Sequence, residues 1–300
     1  MSDVPVNSMS FPETQGQPVV HVRSYWGSVW QRLRYDYVTL FCMVVIILIV
    51  LSAIFAPLLS PMDPLKSSMA FRLKPIGYRN FLLGTDEQGR DMLSRLLYGG
   101  RVSLTMGILP VALATIVGGL LGVVAGYYGG KVNMVIMRTM DVFFAFPSVL
   151  LAVAISGSLG GGITNQLLTL TVVLLPPLCR VAETATSQVR SMDFVDAARA
   201  SGASTISILF THVLVNVMSP VLVYASTLVS VSIILASGLS FLGLGVSPPT
   251  ADWGLMLSTL RQSIYVQPLI SAIPGVAILV TSIVFNLVSD GLRQAMDVKS

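Results

Sequence analysis

Five runs without Asp, Glu, Lys or Arg constrain this 300-residue chain more than any other feature: Tyr37 to Met62, Val102 to Gly130, Val142 to Cys179, Val213 to Ala251 and Gln262 to Ser289. Each exceeds the roughly 20 residues with which a helix crosses a bilayer core. None shows the strict apolar–polar alternation of a barrel strand, so the runs are read as helices. The composition agrees, with 11% charged residues and a mean hydropathy of +0.79, where soluble domains carry about 25% charged residues.

Val142 to Cys179 is too long for one crossing and is interrupted by "SGSLGGGITNQ" (156 to 166), whose glycines and polar side chains suit a turn. Six spans result, at 38–59, 103–125, 135–156, 166–183, 215–243 and 268–289. The expected fold is all-α and polytopic. The chain divides into a cytoplasmic leader (1–36), a first span (37–59), an external segment (60–101), a five-helix domain (102–290) and a tail (291–300). The first apolar run follows too long a leader, and is itself too long, for a removable signal core. Cys42 and Cys179 fall in or beside spans and read as buried apolar residues.

Arg23, Arg32 and Arg34 precede the first span; Lys131 and Arg138, then Arg180, Arg190 and Arg199, occupy alternate loops, and Arg293 and Lys299 follow the last span. Basic residues favour the cytoplasm, which places both termini there. The segment 60–101 resists this rule, since it holds Lys66, Arg72, Lys74, Arg79, Arg90, Arg95 and Arg101. It is kept outside because longer translocated segments escape the rule. The charges are spread over the loops, which excludes a concentrated nucleic-acid face.

The chain lacks the constellation of a catalyst. His21 and His212 stand far apart without a cysteine or carboxylate cluster, so no metal site is expected. "AGYYGGKV" (125–132) ends like a phosphate loop but lacks its first glycine and its final Ser or Thr. An ion-coupled carrier would place acids or lysines at mid-span. Asp141, Glu183 and Asp290 are instead expected near cytoplasmic ends, with Arg138 the natural partner of Asp141 at i,i+3.

Gly118, Gly122 and Gly126 recur every fourth residue and make a groove for a neighbouring helix. Ser226, Ser230 and Ser237 fall near one face of the fifth span; they are candidates for lining a polar path, though such hydroxyls also bond to helix carbonyls. Prolines in five of the six spans favour kinks. In "GTDEQGRDMLSR" (84–95), Asp86 or Asp91 is positioned to pair with Arg90 or Arg95, as an outer gate or docking face. The alternative there is an interfacial helix with Met92, Leu93, Leu96 and Leu97 toward lipid.

The stretch "RSMDFVDAARASGAS" (190–204) reads as a short helix with Asp193 as N-cap and Asp196 in its first turn. Ala197, Ala198 and Ala200 give it little bulk, and Gly202 permits a left-handed stop. A second helix, "STISILFTHVLVN" (204–216), leads into the fifth span.

Asp196-Ala197-Ala198, Gly202 and "HVLVN" resemble the EAA loop of bacterial ABC importer permeases. "LGTDEQGRDMLSRLLYGGRVSL" (83–104), "SFLGLGVSPPTADWGLML" (240–257) and "FNLVSDGLRQAMDVK" (285–299) are similar to the dipeptide, oligopeptide and nickel branch of that family. Departures are Asp196 for glutamate, Val215 for proline, Ser289 for glycine and Val298 for proline. The resemblance implies a type I importer permease of the bacterial inner membrane, forming half of a pathway with a second, related permease. It implies two ATPase partners that carry ATP and magnesium, none bound by this chain, and an external solute-binding protein. Asp196, Ala197, Ala198 and Gly202 would then contact an ATPase. Peptides are the first cargo expected, with nickel chelates, glutathione, opines and short glycans open.

Overall fold

The structure, a computed structural model, describes residues 25–296. Most of the leader and the last four residues lie outside them, and with them His21, Arg23, Val298 and Lys299. Helix α1 (Tyr25–Tyr35) meets α2 (Tyr37–Ile54) at Asp36, whose carboxylate accepts from the Val38 and Thr39 amides at 3.1 and 3.3 Å and starts the second helix. A four-residue α3 (Ala56–Leu59) leads into an irregular stretch with a 3-10 turn at Met69–Phe71.

Then come α4 (Met92–Tyr128), α5 (Gly130–Phe144), α6 (Ser148–Leu159), α7 (Ile163–Arg190), α8 (Asp193–Ala200) and α9 (Thr205–Ser207). A π-type turn (Ile208–Val213) runs into α10 (Leu214–Phe241), followed by α11 (Trp253–Thr259), a 3-10 turn (Leu260–Tyr265) and α12 (Pro268–Met296). Five of these segments are long and apolar enough to cross a membrane, and α5 with α6 makes a sixth when counted as one broken span.

Three expectations need correction. The span over 135–156 is not continuous: α5 and α6 meet at 89°, because Pro147 cannot continue the ladder of α5 and instead stands before a new helix. Helix α4 begins at Met92, within the stretch 60–101 and ahead of the span start expected near 103, since Asp91 accepts from the Ser94 amide at 2.8 Å and caps it there. Met92 is consequently fully buried, packed with Trp253, Met256 and Ile270, and does not face lipid. Finally, Asp141 pairs with Arg180 across α5 and α7 instead of with Arg138.

The glycine groove forms as expected and sets the centre of the bundle. β-Carbons at Gly118 and Gly126 would lie 2.8 and 2.6 Å from the carbonyl oxygens of Leu175 and Glu183, so α4 and α7 touch backbone to backbone. Val111 and Ala114 of α4, Leu174 and Leu178 of α7, and Val217 and Leu228 of α10 close one core around this contact. At the far side Gly291 of α12 lies directly against Thr39 of α2. Ser289, buried, lies 2.6 Å from the Thr227 hydroxyl and accepts from Ser226 at 2.9 Å, fastening α12 to α10. The outward stripe of α2, including Val44, Ile47, Leu48 and Leu51, is exposed and apolar, as a lipid-facing surface must be.

Candidate functional site

Two polar constructions stand at opposite ends of α4. Near its C-terminal end is α8. Its N-cap is Met192, with Asp193 in the first turn, so Asp193 complements the helix dipole rather than capping by its side chain. Val195 alone is driven fully into the core, beside Ile208 and Val213, and anchors the short helix. Asp196, Ala197, Ala200, Ser201 and Gly202 remain exposed, while Ala198 is half-buried against the core. Ala198 therefore belongs to the seam beneath α8 more than to its outer face.

Gly202 holds φ +78°, where a side chain is strained, yet a β-carbon there would meet nothing within 4 Å. Arg199 donates to Asp196 at 3.0 Å and lies 5.6 Å from the Tyr127 ring centroid, tying α8 to the end of α4. Sequence reasoning missed the apolar rim of this helix. Met192, Phe194, Ile206 and Phe210 are all exposed, and the Phe194 ring lies 6.2 Å from that of His212. The signal lies in Ile206 and Phe210, four apart and so on one helical face.

At the other end, the candidate charges are brought together and buried. Arg90 donates to Asp86 at 2.6 Å and to Glu87 at 2.9 Å, and the Arg95 Nε lies 3.3 Å from the same Asp86 oxygen. Asp86, Arg90, Asp91 and Arg95 expose 1 to 4% of their surface, so none presents a side chain to a partner. They hold the segment 60–91 in shape from within. Gly89, at φ +71°, closes this loop against the Ser68 carbonyl. Ser103 donates to Asp252 at 2.7 Å and the Trp253 indole donates to the Leu96 carbonyl at 2.9 Å, binding α11 to α4 beneath the loop.

Burial, then the neighbouring Asp86 charge, push the Glu87 carboxyl above its ordinary 4.5. A raised value means that ionisation weakens the folded loop: the contribution is intact at low pH and is lost as pH rises through and above 4.5. Glu87→Gln should therefore be at least as stable as the parent at neutral pH, with the difference vanishing below about pH 4. Thermal unfolding of detergent-solubilised protein across that range checks this.

Of the three serines of the fifth span, two are buried and Ser226 is half-buried. Ser230 is buried and donates to the Thr227 carbonyl at 2.8 Å, Ser237 is buried, and Ser226 bonds to Val223 and Ser289. Packing between α10 and α12 and within α10 uses the Ser226 and Ser230 hydroxyls. Among the described residues no three His, Cys, Asp or Glu side chains converge as metal ligands would.

Membrane-length helices around a glycine seam, with an anchored yet exposed helix at one end and a charge-stiffened loop at the other, define a polytopic helical membrane protein. Residues 118–299 match the family described as binding-protein-dependent transport system inner membrane component, and residues 24–75 match the N-terminal transmembrane domain of oligopeptide transport permease C. The di/tripeptide transport system permease protein DppC of Pseudomonas aeruginosa is 42% identical over 90% of this chain and 91% of its own length. The glutathione transport system permease protein GsiD of Pectobacterium atrosepticum is 37% identical over 93% and 92%. The dipeptide transport system permease protein DppC of Alkalihalophilus pseudofirmus is 37% identical over 92% and 90%. A crystal structure of an amino acid ABC transporter with histidines superposes on 67% of this chain and 94% of its own, with a TM-score of 0.51 at 13% identity, which bears on the fold alone. The chain belongs to the ABC importer permeases of the peptide family, and it is a multi-pass permease subunit with the type I importer fold.

Proposed function

We propose that this chain carries short peptides, as half of a pathway completed by a second, related permease. Two ATPase subunits holding ATP and magnesium drive it, and an external binding protein delivers the solute. The names of its relatives, which specify di/tripeptide, dipeptide and glutathione, support a peptide cargo. In this reading α8 is the coupling helix and lies in the cytoplasm, as do both termini. The basic residues Arg32, Arg34, Arg190, Arg199 and Arg293 are where that orientation expects them.

One observation carries the coupling role: α8 is pinned by Val195 while Asp196, Ala197 and Gly202 stay exposed, ringed by exposed Phe194, Ile206 and Phe210. Apolar side chains beside small ones, rigidly mounted, are suited to a protein groove. The loop 60–91 would receive the binding protein on the surface that Asp86, Arg90, Asp91 and Arg95 brace from inside.

Gly202→Asp tests the assignment. A side chain there has room within this chain, and Asp tolerates the left-handed backbone better than most residues. Insertion and copurification of partners should therefore persist while uptake falls about tenfold or more. Normal uptake would remove α8 from the coupling step. A cysteine at Ala197 should crosslink to an ATPase subunit in the purified complex, and capture of none would count equally against it.

A further inference from the structure

A groove of about 500 Å³ runs between α2 and α12, walled by Ile49 of α2 and by Leu269, Ile273, Val276 and Val280 of α12. The α12 residues follow one another at spacings of 4, 3 and 4, so they form one stripe along the helix, about 16 Å long at 1.5 Å per residue. Leu269, Val276 and Val280 are exposed, which leaves the groove open along its side. Spread over that length, the volume leaves a channel narrower than the roughly 10–12 Å of a helix with its side chains. A single hydrocarbon chain fits it, and a packed helix does not.

Ile76 closes the end of the groove at which α12 begins. Its turn is seated there by Gly84, where a β-carbon would lie 2.5 Å from the Lys74 carbonyl oxygen and 2.9 Å from the Ile270 side chain of the first turn of α12. Two cations flank Ile76. The Lys74 Nζ lies 5.4 Å from the Tyr78 ring centroid, and the Arg79 guanidinium carbon lies 5.4 Å from the same centroid and 5.9 Å from that of Phe71. Arg79 is held at φ +50°, a left-handed conformation uncommon outside glycine. Among the described residues neither cation has a carboxylate within ion-pair distance. The nearby acids are engaged elsewhere: Asp86 with Arg90 and Arg95, Glu87 with Arg90, and Asp63 with the Leu65 amide.

We propose that this groove and the turn above it form a site for one anionic phospholipid. The phosphate sits at the Lys74 and Arg79 cations beside Tyr78, and an acyl chain lies in the groove below Ile76. Both halves of such a ligand meet their complement: phosphate takes charge-assisted hydrogen bonds from ammonium and guanidinium groups, and the aliphatic wall takes the chain. Tyrosine is suited to the level between them, with an apolar ring and a polar tip. A soluble anion would use the cations and leave the groove empty. A zwitterionic lipid would bring its own cation to a place that already holds two. The bound lipid would tie segment 60–91 to α2 and α12.

Trp253 lines the groove and reports on its occupant. With the other tryptophans, Trp26 and Trp30, replaced by phenylalanine, the full chain is placed in phosphatidylcholine nanodiscs doped with brominated-chain phosphatidylglycerol or brominated-chain phosphatidylcholine, whose bromines quench a neighbouring indole. Half-maximal quenching is expected at a mole fraction at least about tenfold lower for phosphatidylglycerol, as two cations near an anionic headgroup imply. Lys74→Gln with Arg79→Gln should bring phosphatidylglycerol to the value of phosphatidylcholine, and Arg79→Gln alone should narrow the gap if the double variant fails to fold. Ala272→Phe, which adds bulk to the groove wall, should weaken quenching by both lipids. Equal quenching by the two lipids in the parent overturns the site, as does a preference that survives loss of the cations. Native mass spectrometry of the assembled complex supplies a second arm, with phosphatidylglycerol retained by the parent and lost from the double variant. A parent complex that retains none means that another subunit covers the groove, and overturns the site equally.

Discussion

Gly122→Leu is expected to abolish accumulation of folded protein, because α4 and α7 leave no space at that position for any side chain. A β-carbon there would overlap the Cys179 carbonyl oxygen and come within 2.6 Å of the Ala182 methyl and 2.9 Å of the Glu183 amide nitrogen. Backbone cannot rotate aside as a side chain can, so the helices must separate. Overpacking a core commonly costs about 1–3 kcal/mol, and here separation would also open the contacts of Val111, Leu174 and Leu178 that share the seam. Gly119→Ala provides the comparison: three residues earlier, its added methyl meets nothing within 4 Å, and alanine favours helix by about 1 kcal/mol over glycine. Detergent-resistant folded yield, followed by size-exclusion profile, should fall to background for Gly122→Leu and hold or rise for Gly119→Ala. Equal yields would show that the seam yields more readily than its geometry implies.

Asp86→Ala should be nearly as damaging for a different reason. Arg90 and Arg95 both direct their guanidinium groups at Asp86, and all three are almost completely buried. Removing the carboxylate leaves two cations in a low-dielectric site, with Glu87 paired to Arg90 alone of the two. Breaking a buried ion pair typically costs about 3–5 kcal/mol, a large share of the stability of an ordinary domain. The loss should appear as proteolytic sensitivity of residues 60–91 in otherwise inserted protein, and Arg90→Met with Asp86→Leu should recover part of it by removing the charges together. A loop as resistant to protease as the parent would mean that water already reaches the cluster.

Contacts between close neighbours are legible in the amino-acid sequence itself. The fourfold glycine spacing marks the α4–α7 seam, and the alternation of acids and bases over 86–95 marks a pairing network. The Ala-rich stretch before Gly202 marks a short helix with a glycine stop, and the Gly202 backbone takes the left-handed conformation that glycine allows. What sequence pattern conceals is depth and direction. The charges at 86–95 read as an outer gate or docking face because charged residues usually meet solvent, and only the packing of Met92 with Trp253 and Ile270 shows them to be interior. Spacing pairs Asp141 with its helical neighbour Arg138, whereas its partner in space lies 39 residues away on another helix. The break at Pro147 falls within an unbroken apolar run, where a proline is compatible with a mild kink or a right angle. Its size is set by tertiary packing of α6 on α7, which local sequence does not encode.

From Thr205 the backbone stays helical through the π-type turn to Phe241, 37 residues in all, or about 55 Å of rod. Pro220 and the π-type turn are the two places along it where the hydrogen-bond ladder departs from a regular α-helix. Ser204 and Leu242, at the two ends of this segment, are thus joined by one continuous helix that can bend only where its ladder is interrupted.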